Sequence, residues 1–136
     1  MPVTDDTTLR EILERETIAV VGCSDTVGKP AHYVPAYMLE HGYEILPVNP
    51  FAEEIFDRQA VDSLADLDDP VEIVCVFRPS EEVADVVDAA LERDDDAVIW
   101  TQVGIVDDEA ARRAEAAGRL VVQDRCLKVE HQRLQL

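Results

Sequence analysis

Lysine is nearly missing from this chain. Lys29 and Lys128 are its two examples, and arginines supply the rest of 12 cations against 30 aspartates and glutamates in 136 residues. The formal net charge of -18 leaves no basic stripe to neutralise nucleic-acid phosphates, and it equally disfavours an anionic membrane surface. No apolar run approaches the roughly 20 residues of a membrane helix. The start, Met-Pro-Val-Thr-Asp-Asp, has neither the basic residues nor the apolar centre of a signal peptide. Cysteine is scarce and odd in number, and Cys23, Cys75 and Cys126 form no close pair, which argues against a disulfide framework. These absences point to a soluble cytoplasmic protein without nucleic-acid or membrane partners. The acid excess with arginine in place of lysine points to a halophilic cytosol, where roughly 3 Å of Debye length remains at 1 M salt.

What is present is a globular sequence, 47% apolar and of a length that fits a single domain over residues 1–136. Thr8 and Glu11 stand in capping-box spacing before a helix reaching Glu16, with Leu9, Ile12 and Leu13 on one face. Ile18–Val21 reads as a buried strand. A helix follows over about Tyr33–His41, with Pro35 in its first turn and Gly42 as its stop. Glu44–Val48 is a second strand, closed by Pro47-Val48-Asn49-Pro50, whose prolines should forbid further pairing. An irregular crossover with a short strand near Ile55 and a helical turn at Ser63–Leu67 leads to a third strand, Ile73–Phe77. Val83, Val86, Val87, Ala90 and Leu91 then repeat at helical spacing. Ala97–Trp100 is a fourth strand, Asp107 caps an alanine-rich helix that Gly118 ends, and Leu120–Val122 is a fifth strand. Strands alternating with helices predict an α/β class: a doubly wound, Rossmann-like, parallel five-stranded sheet with helices on both faces.

In such folds ligands sit at the carboxyl ends of the strands. The first such loop carries Gly22, Cys23, Ser24, Asp25, Gly28 and Lys29, a set that suits either an anion cradle of backbone N–H groups with Lys29 as its charge, or a sterically required strand end. It lacks the Gly-x-Gly-x-x-Gly spacing of a dinucleotide fingerprint. The second strand ends in Asn49 between Pro47 and Pro50, where an NAD site calls for an acid, so NAD is disfavoured; the flat turn and its amide would suit an adenine edge. Phe77-Arg78 after the third strand offers a phosphate partner, or a surface ion pair with Glu81 or Glu82. Gln102 and Gly104 close the fourth. The Cys23 thiol, placed by a helix start, would be acidified there or would simply fill a tight loop. No matched set of ligands supports a metal site.

Taken together, Ile-Ala-Val-Val-Gly-Cys-Ser with Lys29-Pro30, Gly42-Tyr43, Pro-Val-Asn-Pro, Val-Phe-Arg-Pro, Gln-Val-Gly and Asp-Arg-Cys-Leu-Lys resemble the small single-domain CoA-binding protein family. That family is similar to the CoA-binding domain of the succinyl-CoA synthetase alpha subunit. The resemblance runs from about Leu9 to Leu134. It implies coenzyme A, or an acyl-CoA, held by the four strand-end loops. It also implies no phosphorylated histidine here: His32, His41 and His131 match no such motif, and they read as a helix cap, a helix end and a residue of a polar terminal helix. The expected function is a non-catalytic carrier, sensor or partner subunit, with any protein partner unspecified. The alternatives are an NAD(P)-dependent oxidoreductase or its nucleotide-binding subunit, and a CoA-ligase component working with a separate catalytic chain.

Overall fold

The computed structural model describes residues 1–136. Helix α1 (Asp6–Leu13) precedes strand β1 (Thr17–Val21), and α2 (Pro30–Glu40) leads to β2 (Glu44–Val48). A small hairpin, β3 (Glu54–Ile55) and β4 (Arg58–Gln59), and a 3-10 turn at Leu64–Asp66 fill the crossover to β5 (Ile73–Val76). Then come α3 (Val83–Leu91), β6 (Val98–Thr101), α4 (Asp108–Ala116), β7 (Val121–Val122) and α5 (Leu127–Arg133). The main sheet has the order β2-β1-β5-β6-β7, and every pairing in it is parallel.

The helices cover both faces. Leu9, Ile12, Val34, Met38, Leu127 and Leu134 join Ile18, Val20 and Trp100 in one apolar layer formed by α1, α2 and α5. Val83, Val87, Ala90, Ala110 and Ala114 join Ala19, Val74, Val76 and Ile99 in the other, formed by α3 and α4. Alternating residues of each strand feed opposite layers, which is why the strands read as unbroken apolar runs. The predicted doubly wound sheet is the observed one.

Local departures have identifiable causes. The cap of α1 is Asp5, whose carboxylate accepts the Thr8 N–H at 2.9 Å, so the capping-box reading was three residues late. Helix α2 starts at Pro30, a turn before the expected start, and Pro35 therefore lies in its interior. Pro35 has no N–H for the Ala31 carbonyl, which instead accepts the Ser24 N–H at 3.0 Å. The missing helical bond thus fastens the loop after β1 to the helix. Pairing also continues past the prolines of β2: Pro47 keeps its acceptor, and Val61 N–H donates to it at 3.2 Å while Asn49 N–H donates to the Val61 carbonyl at 2.8 Å. His32 does not cap α2, whose cap position is Lys29; its ring packs on Phe56 at 4.9 Å. His41 does cap the helix end, with Nδ1 2.7 Å from the Tyr37 carbonyl oxygen.

His131 is buried, not on a polar face. Its Nδ1 lies 2.7 Å from the Tyr37 hydroxyl, and the His41 and Tyr43 rings stand edge-on to it at 5.1 and 5.8 Å. Lys128 lies over the Tyr33 and Tyr37 rings, so the second lysine is a cation–π contact between α5 and α2. Burial, and then His41, pull the His131 pKa below the ordinary 6.5. A histidine depressed in the folded state leaves the unfolded chain holding more protons, so stability is fully present above pH 6.5 and declines as pH falls below it. Thermal midpoints of the wild type should drop between neutral and mildly acidic pH. His131→Gln should have a lower midpoint that changes less with pH in that window.

Candidate functional site at the switch point of the sheet

Crossovers leave β1 towards β2 on one side and β5 towards β6 on the other, so the sheet opens a crevice outside the carboxyl ends of β1 and β5. A cleft of about 590 Å³ lies there. Its floor is apolar, with Val21, Val48, Leu64, Val86 and Ala89, and its rim carries Gly22, Asn49, Pro50 and Arg78. Four of the residues singled out from sequence thus share one cleft. Phe51 lies beside them, 95% exposed on the wall, and Asp62, Ser63, Glu82 and Asp85 supply polar groups. Of these five, Glu82 was named from sequence as one candidate ion-pair partner of Arg78, and the other four were not singled out as site residues. For Phe51 a signal existed, a bulky aromatic straight after a proline turn in a chain that is 5% aromatic.

Gly22 is where the close approach occurs. Its φ is +88°, and a Cβ there would stand 2.9 Å from Arg78 Cδ and 3.3 Å from the Phe77 carbonyl atoms. The glycine therefore lets the Arg78 stem lie across the end of β1. Arg78 donates Nε to Glu82 Oε1 at 3.2 Å and Nη2 to Glu82 Oε2 at 2.8 Å, the surface ion pair that the sequence offered as one reading. That hydrogen-bonded pairing holds the Glu82 carboxyl below its ordinary range and raises the guanidinium further.

The first loop is stapled to the second. Asn49 donates Nδ2 to the Cys23 carbonyl at 2.8 Å and accepts the Phe51 N–H on Oδ1 at 2.7 Å. Gly22 N–H donates to the Val48 carbonyl at 2.9 Å. With Gly22 and Ser24 N–H groups committed, those of Asp25, Val27 and Gly28 remain without an acceptor in the protein, on the exposed part of the loop. Ser24 Oγ accepts the Thr26 N–H at 3.0 Å, which leaves its hydroxyl proton to donate outward. Lys29 occupies the cap position of α2, and its ammonium makes no ion pair. The first turn of α2 carries no acid, whereas those of α1, α3, α4 and α5 do. The amino end of the helix dipole and the Lys29 ammonium thus meet at this loop, beside the exposed Asp25 carboxylate.

Other predicted residues lie apart from the cleft. Cys23 is fully buried, and loss of water pushes its thiol up to about 12, so it fills the tight loop rather than being acidified. Pro47 is buried within β2, opposite Val20. Phe77 is half-buried against the α1–α2–α5 layer. Gln102 is buried, its Oε1 accepting the Leu127 N–H at 3.1 Å at the start of α5. Gly104 N–H donates to Asp124 Oδ1 at 2.6 Å. Gln102 and Gly104 thus order the edge around β6 and β7.

Residues 16–132 match the family model described as a CoA binding domain. The chain belongs to that family. It is 44% identical over 124 residues to the protein YneT of Bacillus subtilis, covering 90% of this chain and 91% of YneT. A solved Thermus thermophilus structure superposes with a TM-score of 0.90 at 45% identity, over 96% of this chain and 99% of that one. The ADP-forming acetate–CoA ligase II of Archaeoglobus fulgidus is 32% identical over 81 residues, which are 58% of this chain and 12% of the ligase. The domain is therefore related to a component of acetate–CoA ligases.

Proposed function

We propose that this protein binds coenzyme A or an acyl-CoA across the carboxyl ends of β1, β2 and β5, as a non-catalytic carrier, sensor or partner subunit. The observation that carries this reading is the coincidence of an apolar cleft at the switch point with the family match. Adenine would lie on the floor formed by Val48, Leu64 and Val86, against Phe51, and the diphosphate would meet Lys29, Arg78 and the free N–H groups of the first loop. Lys29 gives up no partner on binding, so it should contribute more than Arg78. Calorimetric titration with CoA in concentrated potassium chloride tests this: Lys29→Ala should weaken binding about tenfold, the scale of one charge-assisted hydrogen bond at a solvated site. Unchanged affinity would remove Lys29 from the site. The choice of potassium chloride follows from the proposed halophilic cytosol. The ligase relationship favours one second reading, that the chain works beside a separate catalytic subunit. Copurification of such a subunit from the native source, together with CoA-ligase activity of the pair, would support it. An NAD(P) site is disfavoured, because Asn49 stands where the ribose-binding acid belongs and both ends of its amide are engaged.

A further inference from the structure

The geometry points to Glu82 as a built-in competitor of the phosphate for Arg78, an affinity-lowering contact that the ligand must displace. The inference rests on the CoA reading above and deepens it. Arg78 is the one cation on the cleft wall, faced there by Asp62, Glu82 and Asp85. Glu82 grips it with both carboxylate oxygens, using Nε and Nη2, the edge of the guanidinium that makes fork contacts with a phosphate. Glu82 stands at the cap position of α3 yet makes no side-chain cap bond to that helix. Its carboxylate is committed to Arg78 instead. Its stem lies beside Gly22, in the space that a Cβ there would fill.

A phosphate arriving at Arg78 therefore either displaces a carboxylate or sits beside one, and like charges at contact distance oppose the second outcome. An exposed ion pair of this kind shifts an equilibrium by a factor of roughly two to five. The empty protein is thereby biased against weakly bound anions. A ligand that also fills the apolar floor and meets Lys29 outcompetes Glu82, whereas a bare phosphate does not. Glu82 thus lowers the affinity of every anion that uses Arg78, so that a ligand needs the further contacts of the apolar floor and Lys29 to bind appreciably.

The test is calorimetric titration of CoA, and of inorganic pyrophosphate in parallel, into the wild type, Glu82→Gln, Glu81→Gln and Arg78→Ala with and without Glu82→Gln. Glu81 is the control, an exposed neighbouring carboxylate with no contact to Arg78. Glu82→Gln should tighten CoA two- to fivefold, and pyrophosphate by at least as much, while Glu81→Gln leaves both unchanged. In the Arg78→Ala background, Glu82→Gln should have no effect. Glu82→Gln binding CoA equally or more weakly than the wild type overturns the competition and makes Glu82 a positioning residue for Arg78. Equal tightening by Glu81→Gln overturns it in favour of overall charge. Failure of CoA to bind either the wild type or Glu82→Gln overturns the CoA reading, and the inference with it.

Discussion

Replacing Gly22 by alanine is expected to cost about 2–4 kcal/mol of stability and to remove CoA binding. Two effects add. The left-handed backbone at φ +88° disfavours any side chain by about 1–2 kcal/mol. The new Cβ also presses on the Phe77 carbonyl at 3.3 Å, and that backbone is fixed because Phe77 N–H donates to the Val21 carbonyl at 2.9 Å. The third contact, Arg78 Cδ at 2.9 Å, relaxes by moving the arginine, which takes the cation away from the cleft. At roughly 3 °C per kcal/mol for a chain of this size, the midpoint should fall by about 6–12 °C. Gly28→Ala is the comparison. Its φ of +97° carries the same backbone penalty, but no atom stands within 4 Å of the added Cβ. It should cost about 1–2 kcal/mol and keep Arg78 in place. Equal losses in the two variants would show that the close approach at Gly22 has no energetic weight.

Trp100→Ala should be worse for stability, by about 3–5 kcal/mol. Trp100 is fully buried on β6, paired with Cys75 on one side and Val122 on the other. It is the largest fully buried side chain, and its removal leaves a cavity that α1, α2 and α5 cannot close without shifting. Its Nε1 also donates to the Arg125 carbonyl at 2.8 Å, in the segment that carries the chain from β7 into α5. Trp100→Phe separates the two contributions. It keeps most of the ring volume and loses the donor, so about 1–2 kcal/mol should go, the cost of one hydrogen bond to a half-buried carbonyl. Denaturant unfolding of both variants checks this, and equal losses would transfer the weight from packing to the hydrogen bond. CoA affinity of refolded Trp100→Phe should be close to that of the wild type, since the cleft lies on the opposite face of the sheet, among the α3 contacts.

The fold was legible because its signals are local. Ile18–Val21, Ile73–Val76 and Ala97–Trp100 are apolar throughout, as strands covered on both faces must be, and Asp107 with Gly118 mark α4 by ordinary cap chemistry. What escaped was set by distant partners. Pro35 sits inside α2 because Ser24, eleven positions back, answers the carbonyl it leaves open. The turn between β3 and β4 is made by Phe56 and Asp57 at φ +57° and +59°, with no glycine to announce it. His131 is buried by Tyr37, His41 and Tyr43, which the sequence places about ninety residues away. At the site, Gly22, Asn49 and Arg78 were readable as strand ends. Phe51, Asp62 and Glu82 enter the cleft only through the bend of the crossover and the start of α3. Cys23 shows the limit from the other side: its place in the loop left an acidified thiol and a loop filler both open, and its burial favours the filler.

A native mass spectrum of the purified protein, recorded before and after adding equimolar CoA and NADH together, tests the central claim most directly. CoA binding at the switch point predicts one adduct per chain with the mass of CoA, none with that of NADH, and loss of the CoA adduct in Gly22→Ala. An NADH adduct in preference to CoA, or no adduct from either, would contradict it.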